Sequence, residues 1–230
     1  TTLDAIFNAW QTDRSQCLDA IMLAPTRELV SSLNQRAQDH RLAGTTPGRQ
    51  VDLADGNAAS VGDLIITRRN DRRLRITATD WVKDGHRWTI LSLTSAAGMR
   101  VRHARSGRIV TLPADYVSTS TELGYATTVH TAQGVTADTM HGVVTGEESR
   151  QQLYTMLTRG RAANHAYLSA VRDGDPHTVI QPNNVHLRTA TEMLEQILAR
   201  DATPQSASTM QREQHEMGLM RRATANTGPS

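Results

Sequence analysis

Apolar positions at Leu3, Ile6, Phe7 and Trp10 repeat at helical spacing and predict a short amphipathic helix over residues 3–10. The run from Asp19 to Ala24 reads as a buried strand, and Pro25-Thr26-Arg27-Glu28 opens a helix that carries Leu29, Val30, Leu33 and Ala37 on its apolar side. Strand, tight turn and helix make the α/β unit whose ligands meet the carboxyl ends of strands, so Thr26 and Arg27 fall where a phosphate would be met. From Gly44 to Ser60 the composition turns to Gly, Pro, Thr, Asp and Asn, which reads as a linker. Short β-type runs follow at Val61–Thr67, Leu74–Ile76, Arg87–Leu93, Met99–Val101 and Arg108–Leu112, with turn signals at Asn70-Asp71, Lys83-Asp84-Gly85, Ala97-Gly98 and Ser106-Gly107. Five such strands in so short a stretch predict a small barrel, with Leu64, Ile66, Trp88, Ile90, Leu93 and Val110 facing inward.

After Tyr116 the α/β pattern returns. Strands are expected at 138–144 and 166–170, with a helix between them whose apolar face is Leu153, Met156 and Leu157. Asp173-Gly174-Asp175-Pro176 marks a boundary. One more helix fits 189–200, with Ala190, Met193, Leu194, Ile197 and Leu198 on its apolar side. From Asp201 onward the chain is polar and poor in aromatics, and a mostly mobile tail is expected.

Composition narrows this picture only a little. With 230 residues the chain can bury one large or two small cores, and a formal net charge of +2 imposes no global basic field. Lys83 is the only lysine, so arginine supplies nearly all the cationic charge. Arginine suits bidentate phosphate contacts, and genome composition produces the same bias. One cysteine, Cys17, excludes an intramolecular disulfide and suits a reducing compartment. No apolar run approaches the roughly 18 to 20 residues that span a bilayer, so a soluble, cytoplasmic protein without a membrane partner is expected.

Candidate chemistry concentrates in residues 121–171. Thr145 and Glu148 stand at capping-box spacing before the 153–157 helix, which delivers Thr158-Arg159-Gly160-Arg161 at its end, where a left-handed Gly160 would stop it. Two guanidiniums on a pinned helix end suit a polyphosphate, because each offers a planar fork of donors. The same pair also suits a solvated position favoured by the helix dipole. Upstream, His130 and Gln133 are three apart, so one helical turn would put them on one face, and Gly134 lets a backbone approach a ligand closely. Arg68, Arg69, Arg72, Arg73 and Arg75 form the densest basic cluster. Around a turn at Asn70-Asp71, three or four could line a DNA-backbone groove, or the same hairpin tip could simply be solvated.

Tyr125-Ala126-Thr127-Thr128-Val129-His130-Thr131-Ala132-Gln133-Gly134 and Leu153-Tyr154-Thr155-Met156-Leu157-Thr158-Arg159-Gly160-Arg161 together resemble motifs V and VI of RecD-like superfamily 1 helicases. The likeness is greatest to the helicase half of conjugative relaxases of the TraA, TrwC and TraI type. Ala24-Pro25-Thr26-Arg27-Glu28-Leu29 with Leu33-Asn34 resembles their motif IV region. The same string occurs in DEAD-box helicases, but no phosphate-binding loop precedes it here.

The resemblance covers roughly residues 18–171 and implies an α/β fold. A RecA-like helicase domain, called 2A, would be interrupted by an SH3-like barrel, called 2B, and followed by a helical and disordered C-terminal tail. The implied divisions are 1–45 and 119–175 for 2A, 46–118 for the barrel and 176–230 for the tail. Arg159 would be the arginine finger on the γ-phosphate of ATP, with Gln133, Gly134, Arg27 and Arg161 in the same nucleotide cleft. Thr26, Thr128, His130, Arg68, Arg69, Arg72 and Arg73 would contact single-stranded DNA.

Two positions depart from the pattern: Thr131 stands where many relatives have Lys, and Gly160 where Ala is common, the second departure being expected to be harmless. An NTPase of this class also needs a Gly-rich loop ending in Lys and a carboxylate for magnesium. Lys83 precedes Asp84-Gly85, Gly56–Gly62 has the wrong spacing, and Glu147-Glu148 fall in the expected cap. His130, His141 and His165 lack ligand spacing, so no metal is expected to bind this chain. ATP and Mg would therefore be bound only by a longer parent that adds the missing first RecA-like domain and a relaxase domain, with other conjugation proteins as further partners. The alternative is a non-enzymatic module that binds single-stranded DNA or a partner.

Overall fold

The computed structural model describes residues 1–44, 48–169 and 189–200. In chain order the elements are α1 (Thr2–Ser15), β1 (Ala20–Ala24), α2 (Arg27–Leu42), β2 (Val51–Asp52), β3 (Ala58–Ala59), β4 (Leu64–Thr67), β5 (Asp71–Arg75), β6 (Trp81–Val82), β7 (Arg87–Leu93), β8 (Met99–His103), β9 (Ile109–Leu112), α3 (Ala114–Ser120), β10 (Thr121–Leu123), β11 (Ala126–Thr128), β12 (Ala137–Val144), α4 (Arg150–Leu157), β13 (Gly160–Leu168) and α5 (Ala190–Ala199). The expected strand end at position 170, the boundary at 173–176 and the tail from 201 lie outside the described residues.

A four-stranded parallel sheet, ordered β11-β1-β12-β13, carries helices on both faces. All five residues of β1 are buried, as a strand covered on both faces requires. Met22 and Ala24 pack with Ile6, Phe7 and Trp10 of α1 and with Leu33 and Ala37 of α2. Ile21 and Leu23, on the other face, meet Val129, Ala132 and Val135, together with Leu153 and Met156 of α4 and Ile197 of α5. The Trp10 indole N–H donates to the Ala20 carbonyl at 3.1 Å, which ties α1 to the first strand. β11 lies at the edge of the sheet, and the Asn34 amide covers it: Oδ1 accepts from the Ala126 N–H at 2.7 Å and Nδ2 donates to the Ala126 carbonyl at 3.3 Å. One side chain of α2 thus satisfies both outward backbone groups of that residue.

Between α2 and β11 the chain builds a five-stranded antiparallel sheet, ordered β10-β4-β7-β8-β9. Leu64, Trp88, Ile90 and Val110 are buried as expected, while Leu93 is only partly covered and Ile66 packs on the far side against Val129 and Ala132. Two expectations fail here. The 74–76 run is not a strand of this sheet, and Asn70-Asp71 is not a hairpin turn. Asp71 instead begins β5, which pairs with β6 in a separate ribbon. The turn sits at Thr77–Asp80, where Thr77 Oγ1 accepts from the Thr79 and Asp80 N–H groups. Asp71 is free to start a strand because its carboxylate takes the Arg73 N–H at 2.9 Å and the Arg73 guanidinium at 2.8 Å. Likewise the Gly- and Asn-rich stretch read as linker folds, in its described part, into the β2–β3 hairpin, with Leu53 and Ala59 buried.

Two buried polar contacts join the sheets. Asp63 is fully buried and accepts from Tyr125 Oη (2.6 Å), Arg41 Nε (2.6 Å), Gln38 Nε2 (3.0 Å) and the Ser60 N–H (2.7 Å). Arg87 on β7 donates to Asp19 Oδ1 at 2.8 Å and to the Ala20 carbonyl at 2.7 Å, at the start of β1. Gly124 carries the chain from one sheet to the other, where a Cβ would lie 2.6 Å from Ile65 C.

His86 packs against His103 and Trp88 with the rings inclined to one another, the centroids at 4.6 and 5.8 Å. Burial, helped by the charge of His103, pushes its pKa from 6.5 down to about 4. As pH falls, the unfolded chain takes up this proton before the folded one does. The stability contribution is therefore complete above about pH 6.5 and declines toward pH 4. We predict that thermal stability falls between about pH 6.5 and 5, above the carboxylate range, and that His86→Gln flattens this slope. An unchanged slope in the variant would contradict the assignment.

Candidate functional site

The parallel connection from β11 to β12 has to pass β1, which lies between them, and it does so without a helix. Residues 129–136 descend the sheet face, with Val129, Ala132 and Val135 buried. The start is an i−4 turn, in which the Ala132 N–H donates to the Thr128 carbonyl at 2.9 Å. The expected single helical face for His130 and Gln133 therefore forms only as one turn, and both side chains are exposed. Gly134 closes it with φ +87° and open space where a Cβ would stand. It is Gly134, and not Gly160, that uses glycine's left-handed freedom.

Three neighbours hold this loop. From the antiparallel sheet, the Arg68 guanidinium donates to Glu122 (2.6 Å), Thr127 Oγ1 (2.6 Å) and the Thr131 carbonyl (3.4 Å). The Thr128 and Thr131 hydroxyls share a hydrogen bond of 2.7 Å. From α4, Gln152 uses its whole amide: Oε1 accepts from the Ser149 N–H at 2.8 Å, and Nε2 donates to His130 Nε2 at 2.9 Å. That His130 nitrogen is thereby an acceptor. From the end of α4, Arg159 Nη1 donates to the Ala132 and Val135 carbonyls at 3.3 and 3.4 Å, and Nε donates to the Thr155 carbonyl at 2.9 Å. Among the described residues no carboxylate pairs with Arg159, so its charge meets only neutral oxygens.

The helix that carries Arg159 is capped by Ser149 and Gln152, not by Thr145 and Glu148. Glu148 is buried and instead accepts from the Thr145 N–H at 2.9 Å, Thr145 Oγ1 at 2.9 Å and the Gly146 N–H at 2.9 Å, which fixes the loop after β12. The Ser149–Gln152 spacing was visible in the sequence. What it could not convey is that Gln152 also reaches His130.

Register separates the remaining candidates. Ala24 pairs with Thr128, so Thr26, Arg27 and Thr128 emerge together at the carboxyl end of the sheet. Thr26 caps α2, with Oγ1 accepting from the Leu29 N–H at 3.3 Å, while Arg27 is exposed on its first turn. Gly160 pairs with Ala137 at the opposite end, about six residue steps or roughly 20 Å along β12. Arg27 therefore stands with the strand-end group, and Gln133, Gly134 and Arg159 form a separate group. Arg161 is exposed and pairs with Asp138, whose carboxyl is held below its usual range by the Asp19 backbone N–H and by Arg161 itself.

The basic cluster is engaged within the chain. Arg69 lies over the Tyr116 ring at 4.9 Å, Arg72 over Trp81 at 5.1 Å, Arg73 pairs with Asp71, and Arg75 donates to the Ala78 carbonyl at 2.8 Å. Each of these four guanidiniums thus has a partner within the chain, and the turn expected to gather them is not at Asn70-Asp71.

No family model matches the sequence. Two uncharacterized proteins of Mycobacterium tuberculosis, MT2373 of strain CDC 1551 / Oshkosh and Rv2311 of strain ATCC 25618 / H37Rv, are each 33% identical to it over 122 residues, which is 53% of this chain and 67% of theirs. The chain belongs to the family of these two proteins. Among solved structures, Bacteroides sp Pif1 in complex with ADP-AlF4 is 16% identical with a TM-score of 0.48, covering 85% of this chain and 51% of that one. Bacteroides Pif1 bound to ssDNA is 18% identical with a TM-score of 0.47, covering 65% and 41%. Pif1 helicase from Candida albicans is 15% identical with a TM-score of 0.43, covering 71% and 52%. The chain thus spans about two-fifths to half the length of these solved chains.

Gly160 has a steric role that the sequence did not disclose. A Cβ there would lie 2.1 Å from the Ala163 carbonyl oxygen and 3.0 Å from both Asn164 Oδ1 and Met140 N. A side chain at this position would therefore force its backbone neighbours to shift. Gly160→Ala should destabilise the protein by about 1–3 kcal/mol in denaturant unfolding, the usual range for overpacking. A variant as stable as the parent would show that the β13 bulge relaxes freely.

Proposed function

We propose that this chain is the arginine-bearing part of an ATP-driven DNA helicase or translocase, completed by a separate domain that carries the phosphate-binding loop. The observation that carries the reading is the seating of Arg159. Its guanidinium rests on the carbonyls that flank Gln133-Gly134, so two constellations far apart in sequence form one surface. Both bonds are long and go to uncharged oxygens, and a phosphate would outcompete them because it adds an opposite charge and accepts from the guanidinium fork bidentately. Arg159 would stabilise charge that develops on the γ-phosphate, with Gln133 and Gly134 lining the cleft.

Single-stranded DNA would meet Thr26, Arg27, Thr128 and His130 at the carboxyl end of the sheet. The antiparallel sheet would be the SH3-like 2B barrel inserted in a RecA-like 2A domain, and the longer protein a conjugative relaxase of the TraA, TrwC and TraI type. The residues present fit the γ-phosphate side of ATP and not its magnesium. Glu148 is spent on the loop after β12, and among the described residues no group of three His, Cys, Asp or Glu side chains could hold a metal ion. ATP would supply the cleavable phosphoanhydride, and its Mg would be held by the completing domain.

In a protein that joins this chain to the phosphate-loop domain, Arg159→Ala should lower kcat for DNA-stimulated ATP hydrolysis by about 10³- to 10⁵-fold, with Arg159→Lys intermediate. Unchanged turnover would contradict the proposal and leave the chain as a non-enzymatic binding module.

A further inference from the structure

The cations best placed to follow a nucleic-acid backbone are not those of the 68–75 cluster. On β8, Met99 and Val101 face the core, while Arg100 and Arg102 stand exposed on the opposite face. Two residues apart on one strand, they are roughly 7 Å from each other, on the order of one sugar–phosphate repeat. Their cross-strand partners are Ser92 and Thr111 for Arg100, and Thr89 and Ile109 for Arg102, so no carboxylate stands directly opposite either. Ile109 is 44% exposed and sets an aliphatic surface beside the guanidinium of Arg102.

The row continues at both ends. Arg105 and Arg108 are exposed in the β8–β9 turn. At the β7–β8 turn the exposed Arg49 donates to the Thr94 and Ser95 carbonyls at 2.8 and 3.0 Å, so it is held in place without being neutralised. Among the described residues, the guanidiniums of Arg100, Arg102, Arg105 and Arg108 have no ion pair or hydrogen bond. Arg68 and Arg73 are paired with carboxylates, and Arg69 and Arg72 lie on aromatic rings.

We propose that the outer face of β8 is a binding strip for the phosphodiester backbone of single-stranded DNA, with Arg100 and Arg102 at its centre and Arg49, Arg105 and Arg108 at its ends. A file of cations one strand wide meets one backbone, whereas a duplex presents two. Exposed guanidiniums without carboxylate partners release counterions from DNA at no cost in broken ion pairs. This inference rests on the reading of the chain as a protein that acts on DNA, but it assigns a surface which that reading does not require.

The test is fluorescence-anisotropy titration of the full 230-residue chain with a labelled oligothymidylate between about 50 and 200 mM salt. Each phosphate contact on a single strand contributes about 0.7 to the log–log salt slope. Arg100→Ala/Arg102→Ala should therefore lower the slope by about 1.4 and weaken binding about 25-fold at 0.1 M salt. Arg100→Lys/Arg102→Lys should keep the slope, and Arg72→Ala/Arg73→Ala should leave it unchanged. Wild-type-like binding by the Arg100/Arg102 alanine variant would overturn the strip while leaving DNA binding itself established elsewhere on the chain. Loss of slope in the Arg72/Arg73 variant, or tighter binding to duplex than to single strand, would overturn it as well. No binding by the wild type at the lowest salt would also overturn it, whereas the proposed function is judged separately by ATP turnover.

Discussion

The rest of the structure depends on how the chain crosses from β11 to β12. Parallel strands of one sheet are ordinarily linked by a dozen or more residues that include a helix, and here residues 129–136 make the whole connection. Backbone laid on a sheet face without a helix leaves N–H and C=O groups that need partners from elsewhere. Arg68 reaches in from the antiparallel sheet, and Gln152 and Arg159 reach in from α4. Two regions distant in sequence therefore converge on one loop, and Arg159, one of the groups that hold it, is the candidate functional residue.

That convergence gives the antiparallel sheet a physical route to the group formed by Gln133, Gly134 and Arg159. A shift of the antiparallel sheet would move Arg68, and with it Thr127 and Thr131. The loop carbonyls under Arg159 follow within a few residues. The two sheets are also fastened by Asp63 and by the Arg87–Asp19 pair. Removing one partner of a buried charge pair of this kind typically costs about 3–5 kcal/mol.

Much of the scaffold was legible because it follows from local periodicity. The β1 strand, the apolar faces of α1 and α2, and the strands at 64–67, 87–93, 99–103 and 109–112 come directly from apolar spacing, whereas on α4 only Leu153 and Met156 are buried and Leu157, expected beside them, is exposed. Where reading failed, a long-range or side-chain contact outweighed a local signal. Asn70-Asp71 carries a turn signature, yet Asp71 spends its carboxylate on Arg73 and opens a strand. Thr145 and Glu148 have capping-box spacing, yet the pair closes a loop one turn too early and the box belongs to Ser149 and Gln152. Gly160 looked like a helix stop, but it is a site of close backbone approach to Ala163, which depends on a bulge that no local pattern announces. In the site itself, the joining of Gln133-Gly134 to Arg159 was anticipated only through family resemblance. The distance between Arg27 and Arg159 required the sheet register.

The central claim is that Arg159 serves a phosphate charge that grows as ATP is cleaved. The most direct measurement compares the affinity of ADP–aluminium fluoride, a mimic of that transition state, with the affinity of ATP in a protein that joins this chain to a phosphate-loop domain, before and after Arg159→Ala. Differential binding predicts that the variant loses affinity for the mimic by at least about tenfold while ATP binds almost as before. Equal affinities in the two proteins, or an equal loss for both ligands, would contradict the account.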